Sequence, residues 1–112
     1  MTICEAGDIA VVPFPFTDVA AAKPRPALSL SPRGANEETG HTVFAMITTA
    51  QRSHWPNDVA VQDLASCGLT LASVVRFKLF TLDNRLIARR IGHLSARDRQ
   101  AVRRALRSLI AL

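Results

Sequence analysis

At 112 residues, the chain is long enough for one domain with its own core and too short for two, so we predict a single domain over residues 1–112. Hydrophobic residues make up 48% and charged residues 21%, a composition that is typical of globular proteins and excludes a disordered chain. Fourteen Lys and Arg against nine Asp and Glu give a formal net charge of +5, which favours an anionic partner such as nucleic acid.

The longest apolar stretch, residues 9–16, is too short to span a bilayer and is interrupted by Pro13 and Pro15. The N-terminal residues lack the basic segment and apolar run of a secretory signal. We therefore expect a cytoplasmic protein with no membrane partner.

The first ninety residues or so are predicted to form short strands, because apolar and β-branched runs alternate with turn residues. The predicted strands cover residues 8–16, 26–31, 41–49, 58–62, 71–77, 78–82 and 86–91. Pro13 and Pro15 supply no backbone donor, so the first strand must bulge or lie at an edge near them. Residues 17–24 and 50–57 are predicted loops, and residues 32–40 a polar turn.

The last part of the chain changes to a helical period. Ser95 is placed to cap a helix, and Asp98 follows three residues later, where it also suits the helix dipole. Val102, Leu106 and Ile110 then recur every four residues and predict one apolar stripe. The arginines between them are expected to be a solvated face more than a binding surface. The sequence therefore predicts a mainly β fold, a small β-barrel covered by a C-terminal α-helix.

Cysteine and histidine are too scattered to indicate a metal site. Cys4 and Cys67 have no CxxC spacing and are predicted to be buried thiols rather than a disulfide. His41, His54 and His93 stand singly, so the sequence contains no zinc ligand set. We expect no metal and no other cofactor.

Several segments, in colinear order, resemble one family. They are GDIAVVPFPFTD at 7–18, KPRPALSLS at 23–31, MITTAQ at 46–51 and SVVRFKLFTLDNRLIARRIG at 73–92. Together they are similar to the MazF/PemK toxins of type II toxin–antitoxin systems, in particular to the PemK-like branch. The resemblance implies an SH3-like or CcdB-like barrel and a homodimer that cleaves single-stranded RNA at short sequence motifs. It also implies a cognate antitoxin as partner, with DNA contacted only through the antitoxin complex.

The resemblance assigns two catalytic residues. The family's catalytic arginine directly precedes a proline at the start of a strand and falls on Arg25, and its threonine, two positions before a glutamine, falls on Thr49. An arginine fork matches two phosphate oxygens, and a threonine hydroxyl can bond a phosphate oxygen or a 2′-hydroxyl. Taken singly, the two residues are ordinary, a solvated charge and a β-former. Pro24 departs from the family pattern, which more often has a polar residue there, and could alter substrate choice.

Residues around these two are candidate RNA contacts. Trp55 can stack an unpaired base, Arg52 can pair with phosphate or stack, and Gln51 can read a base edge. Lys23 is a candidate phosphate contact. The alternatives are burial of Trp55 at a dimer interface or barrel end and ordinary solvent exposure for Lys23.

The proton acceptor is the open part of this mechanism. Arginine remains charged in proteins, so it is not a ready base. His54 follows Thr49 by five residues and is a candidate by proximity, although an exposed loop histidine needs no such role. Asp18 is a weaker alternative.

Two other functions are compatible with such a barrel, because fold alone does not fix function. One is a CcdB-like toxin that binds a protein target such as DNA gyrase without cleaving RNA. The other is a non-catalytic SH3-like module that binds nucleic acid or a peptide. Arg25 before Pro26, with Thr49 upstream of Gln51, favours the nuclease. A small acidic reading frame beside the gene would favour either toxin over the module.

Overall fold

The computed structural model describes residues 1–16, 23–51 and 53–112 of the chain. Six antiparallel strands form one curled sheet, a half-barrel, in the order β4-β5-β3-β2-β1-β6. The elements are β1 Asp8–Pro13, β2 Pro24–Ser29, α1 Arg33–Thr39, β3 His41–Thr49, β4 Val59–Ala60, β5 Ser73–Asp83, β6 Arg89–His93 and α2 Ala96–Leu109. The predicted mainly β fold with a C-terminal helix is confirmed.

The strands differ from the predicted ones mainly in their ends. β3 has the predicted bounds, whereas the predicted strand over 58–62 is reduced to the two residues of β4. The two strands predicted over 71–77 and 78–82 are one continuous strand, β5. Its pairing with β3 shifts between Ala45 and Met46, so an irregularity in the register replaces the predicted break.

The polar turn predicted over residues 32–40 is wrong, because Arg33–Thr39 forms the helix α1. Asn36 is fully buried, and its amide Nδ2 donates to the carbonyl of Cys4 at 2.8 Å and to that of Ser31 at 3.1 Å. Gly40 ends the helix in the left-handed region, at φ 72°. These long-range contacts fix a helix that its short, glycine-containing sequence does not indicate by itself.

The helix α2 begins at the predicted cap. The Ser95 side chain accepts a hydrogen bond from the Asp98 amide, and the Asp98 carboxylate accepts from the amides of Gln62 and Asp63. Asp98 therefore ties the first turn of the helix to the segment after β4. The apolar stripe is buried at Val102, whereas beyond the helix Ile110 is half exposed.

Two cores lie on opposite faces of the sheet. The face under α2, here called the helix face, carries Leu28, Ile47 and Val75. The other, here called the aromatic face, carries Val12 and Ala27 packed with phenylalanines. The aromatic cluster consists of Phe14, Phe44 and Phe80, with Phe16 beside it.

The predicted free, buried thiols are confirmed: Cys4 lies in the aromatic-face core and Cys67 in the helix-face core. Neither α1 nor α2 is long and apolar enough to cross a membrane, and no other helix in the described part of the chain is.

Candidate nucleic-acid interface

Arg25 and Thr49 lie at the same end of two neighbouring strands. Arg25 is the second residue of β2 and pairs with Val12, and Thr49 is the last residue of β3 and pairs with Ser73. Within residues 1–16, 23–51 and 53–112, the exposed Arg25 side chain forms no hydrogen bond or ion pair. Its charge is therefore available to a ligand.

The two side chains belong to opposite faces of the sheet. Ala27 pairs with Met46, so the same register places Arg25 opposite Thr48. Since side chains alternate along a strand, Arg25 and Thr48 share the aromatic face, and Thr49 belongs to the helix face. Sequence reasoning passed over Thr48, because only the register of β2 against β3 reveals it.

Thr49 borders a cavity of about 280 Å³ at this end of the sheet, and Thr48 beside it is also part of the cavity wall. The cavity walls include Pro26 and Ile47 from the sheet and the segment around Leu69, and they are mostly apolar. Any ligand that contacts both Arg25 and Thr49 must therefore lie beyond the strand ends, where side chains from the two faces can converge.

The other predicted RNA contacts lie on both sides of this end of the sheet. Lys23 precedes β2 and is exposed, and Gln51 is exposed just after β3. His54 and Trp55 are exposed in the loop before β4, where Trp55 is 43% exposed. Arg52 and Asp18 lie outside the described residues.

Arg76 is not among the site residues predicted from the sequence, and the structure buries it. It is only 5% exposed and makes a two-pronged ion pair with Asp58, with Nε–Oδ1 at 3.1 Å and Nη2–Oδ2 at 2.7 Å. Its Nη1 donates to the hydroxyl of Ser53 at 2.8 Å, and its Nη2 to the carbonyl of Ser53 at 3.0 Å. The guanidinium carbon lies 5.3 Å from the centre of the Trp55 ring, within the range of a cation–π contact.

The ion pair between Arg76 and Asp58 shifts the pKa of both residues. The hydrogen bonds from Arg76 lower the pKa of Asp58, more than burial raises it. The same bonds raise the pKa of Arg76. Both groups therefore remain charged across the neutral range, and the loop from residue 53 to residue 58 is held by a permanent ion pair.

The histidines are far apart. His41 begins β3, at the opposite end of that strand from Thr49, and His93 ends β6. His54 is the histidine nearest to Thr49 in the sequence, five residues after it. Among the described residues, no group of three or more His, Cys, Asp or Glu has the arrangement of a metal site.

Comparison with known proteins decides the family. A family model described as "PemK-like, MazF-like toxin of type II toxin-antitoxin system" matches residues 5–110. The chain belongs to this family. It is the toxin of a type II toxin–antitoxin system, and its short strands and C-terminal helix are those of a MazF-like toxin.

Solved structures agree with the fold of this PemK-like toxin. A MazE–MazF crystal structure from Deinococcus radiodurans has a TM-score of 0.77 and 23% identity, covering 100% of this chain and 99% of that one. An endoribonuclease in complex with its cognate antitoxin, from a mycobacterial species, has a TM-score of 0.74 and 18% identity, covering 100% and 97%. The Mycobacterium tuberculosis toxin MazF-mt6 has a TM-score of 0.72 and 26% identity, covering 90% and 93%. A search of curated proteins gave no match.

Proposed function

We propose that this PemK-like toxin is a metal-independent endoribonuclease that cuts single-stranded RNA at short sequence motifs. The proposal depends on Arg25, an exposed arginine without a protein partner in the described structure, at the position to which the sequence resemblance assigns the family's catalytic arginine. Arg76, which contacts the loop that carries Trp55, belongs to the same face of the sheet as Arg25. Solved relatives described as endoribonucleases support the reaction class.

The chemistry needs no bound group beyond the chain and its substrate. The 2′-hydroxyl of one nucleotide attacks the adjacent phosphorus, the bond to the 5′ oxygen breaks, and the products are a 2′,3′-cyclic phosphate and a 5′-hydroxyl end. Arg25 is suited to hold the phosphate, since its fork offers two parallel N–H donors to the oxygens on which charge builds up. One such preorganised donor is worth roughly 3–4 kcal/mol in the transition state.

Thr49 is proposed as the second catalytic residue. It ends β3, and its side chain borders the cavity at the open end of the sheet, so its hydroxyl can reach a phosphate placed beyond the strand ends. There it would donate to a phosphate oxygen or accept from the 2′-hydroxyl. The aromatic-face hydroxyl of Thr48 is the alternative donor, and the two are separable by substitution.

Base contacts are assigned to the loop after β3. Trp55 keeps enough exposed ring surface to stack an unpaired base, and such stacking contributes about 1–3 kcal/mol per base. Gln51 and Lys23 are exposed at the same end of the sheet and suit base-edge and phosphate contacts, respectively. Arg52 remains a candidate from the sequence alone.

His54 is the proposed proton acceptor. It lies between Ser53 and Trp55, on the loop that follows Thr49 in the chain, whereas His41 and His93 are on strands β3 and β6. An imidazole exchanges protons near neutral pH, which the arginine cannot do. His54→Ala should therefore lower the rate of cleavage without weakening RNA binding.

The proposed partners follow from the same family. We propose that the toxin acts as a homodimer and is held inactive by a cognate antitoxin. The D. radiodurans and mycobacterial relatives were solved as complexes with an antitoxin, which supports the antitoxin as partner.

Cleavage in EDTA tests the proposal. Purified protein should cut single-stranded RNA with chelator present and leave 5′-hydroxyl ends, and Arg25→Ala should abolish cutting while circular dichroism shows an intact fold. Arg104→Ala is the matched control, because Arg104 is an exposed arginine on α2 that is not among the predicted site residues, and it should keep nearly full activity. Intact RNA across a broad panel of sequences would contradict the proposal. Cutting that appears only when Mg²⁺ is added would contradict the metal-independent mechanism.

A further inference from the structure

The Arg76–Asp58 ion pair is buried, and the proposed chemistry does not use it. The exposed fractions of the two side chains are 7% and 11%. Burying two charges costs free energy that their attraction only partly offsets, so apolar residues at the same positions would stabilise the fold as well or better. An ion pair at this place therefore calls for a role other than stability.

Within the described structure, all side-chain hydrogen bonds of Arg76 have acceptors in the loop of residues 53–58, and none has an acceptor in the sheet. Its Nε, Nη1 and Nη2 donate to Asp58 and Ser53 only. Ser53 lies at the start of the loop and Asp58 at its end. One side chain thus closes both ends of a segment that has little regular structure of its own.

Trp55 is held between these two ends. The Asp58 carboxylate atom Oδ2 accepts from Arg76 Nη2 at 2.7 Å and from the Trp55 amide at 3.0 Å, and the Asp58 amide donates back to the Trp55 carbonyl at 3.1 Å. The Trp55 ring contacts the guanidinium that makes these bonds. The backbone and the ring of Trp55 are therefore both positioned by the same ion pair, while the residue as a whole stays 43% exposed.

The register places this assembly beside Arg25. Met46 pairs with Ala27 on one side and with Arg76 on the other, so Arg76 belongs to the aromatic face, as Arg25 does. Arg76 is on β5 and Arg25 is on β2, and only β3 lies between these strands. The two strands are therefore about 10 Å apart at the usual strand spacing. Trp55 itself lies at the β4 edge of the sheet, where it lines a cavity with Phe77 and with Leu109 of α2. An RNA strand that meets both the Arg25 guanidinium and the Trp55 ring would therefore run from the aromatic face to this edge.

We propose that Arg76 and Asp58 are positioning residues that hold Trp55 as a rigid platform for one unpaired base. They thereby select the nucleotides next to the phosphate bound by Arg25. This inference rests on the proposed RNA cleavage for its consequence, but the positioning of Trp55 can be measured without RNA. A ring fixed in advance binds a base with less loss of conformational freedom than a mobile one.

The test uses Trp55, the only tryptophan of the chain, as its own reporter. Arg76→Met removes the donors, Asp58→Asn keeps the shape but removes the charge, and Asp63→Asn is the control, because it alters an exposed pair with Arg97 elsewhere. Without RNA, the first two variants should show red-shifted Trp55 emission and stronger acrylamide quenching than wild type and the control. Arg76→Lys should not restore the wild-type emission, because one ammonium cannot span both ends of the loop.

With RNA, the same variants are compared for binding and selectivity. Wild-type fluorescence should be quenched by a single-stranded oligonucleotide carrying 2′-deoxyribose throughout, which cannot be cleaved. Arg76→Met and Asp58→Asn should raise the Kd, and the KM for cleavable RNA, roughly tenfold, with a smaller change in kcat. When these two variants cut a random RNA pool, sequencing of the cut ends should show relaxed nucleotide choice at one position. Trp55→Ala should relax the choice at the same position. The Trp55→Ala/Arg76→Met double variant should lose no more selectivity or affinity than Trp55→Ala alone.

The outcomes separate this inference from the proposed function. If the oligonucleotide quenches wild-type Trp55 and binds the variants more weakly, the platform is supported even where no RNA is cut. If the variants change the emission but keep wild-type Kd, KM and cleavage motif, the pair has a structural role only and the inference is wrong. The inference is also wrong if the loss of RNA binding in the double variant equals the sum of the losses in the two single variants, because Trp55 and Arg76 would then act independently.

Discussion

Arg25 and Arg76 are arginines on the same face of the sheet, but Arg25 is exposed and Arg76 is buried in an ion pair. Arg25 is exposed at the start of a strand, and no described side chain neutralises it, so its charge can act on a ligand. Arg76 is buried in the middle of β5 and must be paired, because an isolated buried charge is too costly. The sequence distinguishes them only by Pro26 after Arg25, since the partner of Arg76 lies 18 residues away in the chain.

The two neighbouring threonines give a matched pair of variants for the proposed catalytic hydroxyl. Thr49→Val removes the hydroxyl at the end of β3, beside the cavity, and should lower kcat for RNA cleavage at least tenfold, since a hydroxyl contact to the reacting phosphate is lost. Thr48→Val is the control, with the same change in shape and β-propensity. Single-turnover cleavage measures both. A larger loss in Thr48→Val would assign the catalytic hydroxyl to the face of Arg25.

The Asp58 carboxyl should make stability depend on pH in acid. Its pKa is lowered in the folded protein by the hydrogen bonds from Arg76, so its contribution is complete above the unfolded value of about 3.9 and is lost as the pH falls through the folded value. The difference in unfolding free energy between wild type and Asp58→Asn should be constant from pH 8 to about pH 5 and shrink below about pH 4. Urea titrations at several pH values measure it.

Asp83 also has a lowered pKa, but it does not disturb the comparison of wild type with Asp58→Asn. Arg85 lowers its pKa to about 2, and that pair is present in both proteins, so its effect cancels in the difference. A difference that stays constant down to pH 2.5 would show that the Asp58 pKa is not coupled to folding.

At the scale of elements, β6 and the turn at residues 66–68 approach each other at backbone distance. A side chain on Gly68 would collide with the Ile91 carbonyl, and one on Gly92 with the Ser66 carbonyl. The His93 amide donates to the Ser66 carbonyl at 3.0 Å in the same contact. The turn therefore fastens the edge strand β6 to the segment after β4, which helps to curl the sheet.

A comparison of Gly68→Ala with Gly34→Ala tests this contact, because of the two glycines only Gly68 is in close contact with another backbone segment. Gly68 has φ +70°, so the added methyl group meets both backbone strain of about 1–3 kcal/mol and the carbonyl of Ile91. We expect Gly68→Ala to lower the unfolding free energy by at least 2 kcal/mol, by this estimate. Gly34→Ala, in α1 with open space around it, should instead raise the unfolding free energy by up to about 1 kcal/mol. Chemical denaturation compares them, and equal effects would contradict the close approach.

Local sequence was sufficient for elements whose pattern repeats over many residues. β3 is mostly apolar and rich in β-branched residues, and α2 combines a capping serine with a four-residue period, so both were predicted. α1 was not, because it is held by Asn36, whose side-chain amide donates to the distant Cys4 carbonyl and whose backbone carbonyl accepts from Asn84 Nδ2. Arg25 was found from its motif, whereas the Arg76–Asp58 pair depends on β4 lying beside β5, a pairing that no local pattern encodes.

At the scale of the whole molecule, one sheet separates two cores, each with one buried thiol. Cys4 is in the aromatic-face core and Cys67 in the helix-face core, and both are fully buried. Burial raises the pKa of Cys4 to about 11 and raises that of Cys67 as well, so little thiolate forms at neutral pH. Because the strands between them are shared, we propose that the two cores open together as one cooperative unit.

Thiol labelling tests that cooperativity. The thiolate is the reactive species, so a disulfide reagent should modify native protein only when the core opens. In Cys67→Ser and Cys4→Ser single variants, the remaining thiol should label with the same opening free energy, equal to the unfolding free energy measured with urea for that variant. A Cys67 that opens at markedly lower free energy than Cys4 would instead show that α2 and the helix face detach first, while the aromatic face with Arg25 and Arg76 remains folded. The two labelling rates thus establish whether the candidate RNA interface depends on the whole fold or on one face of it.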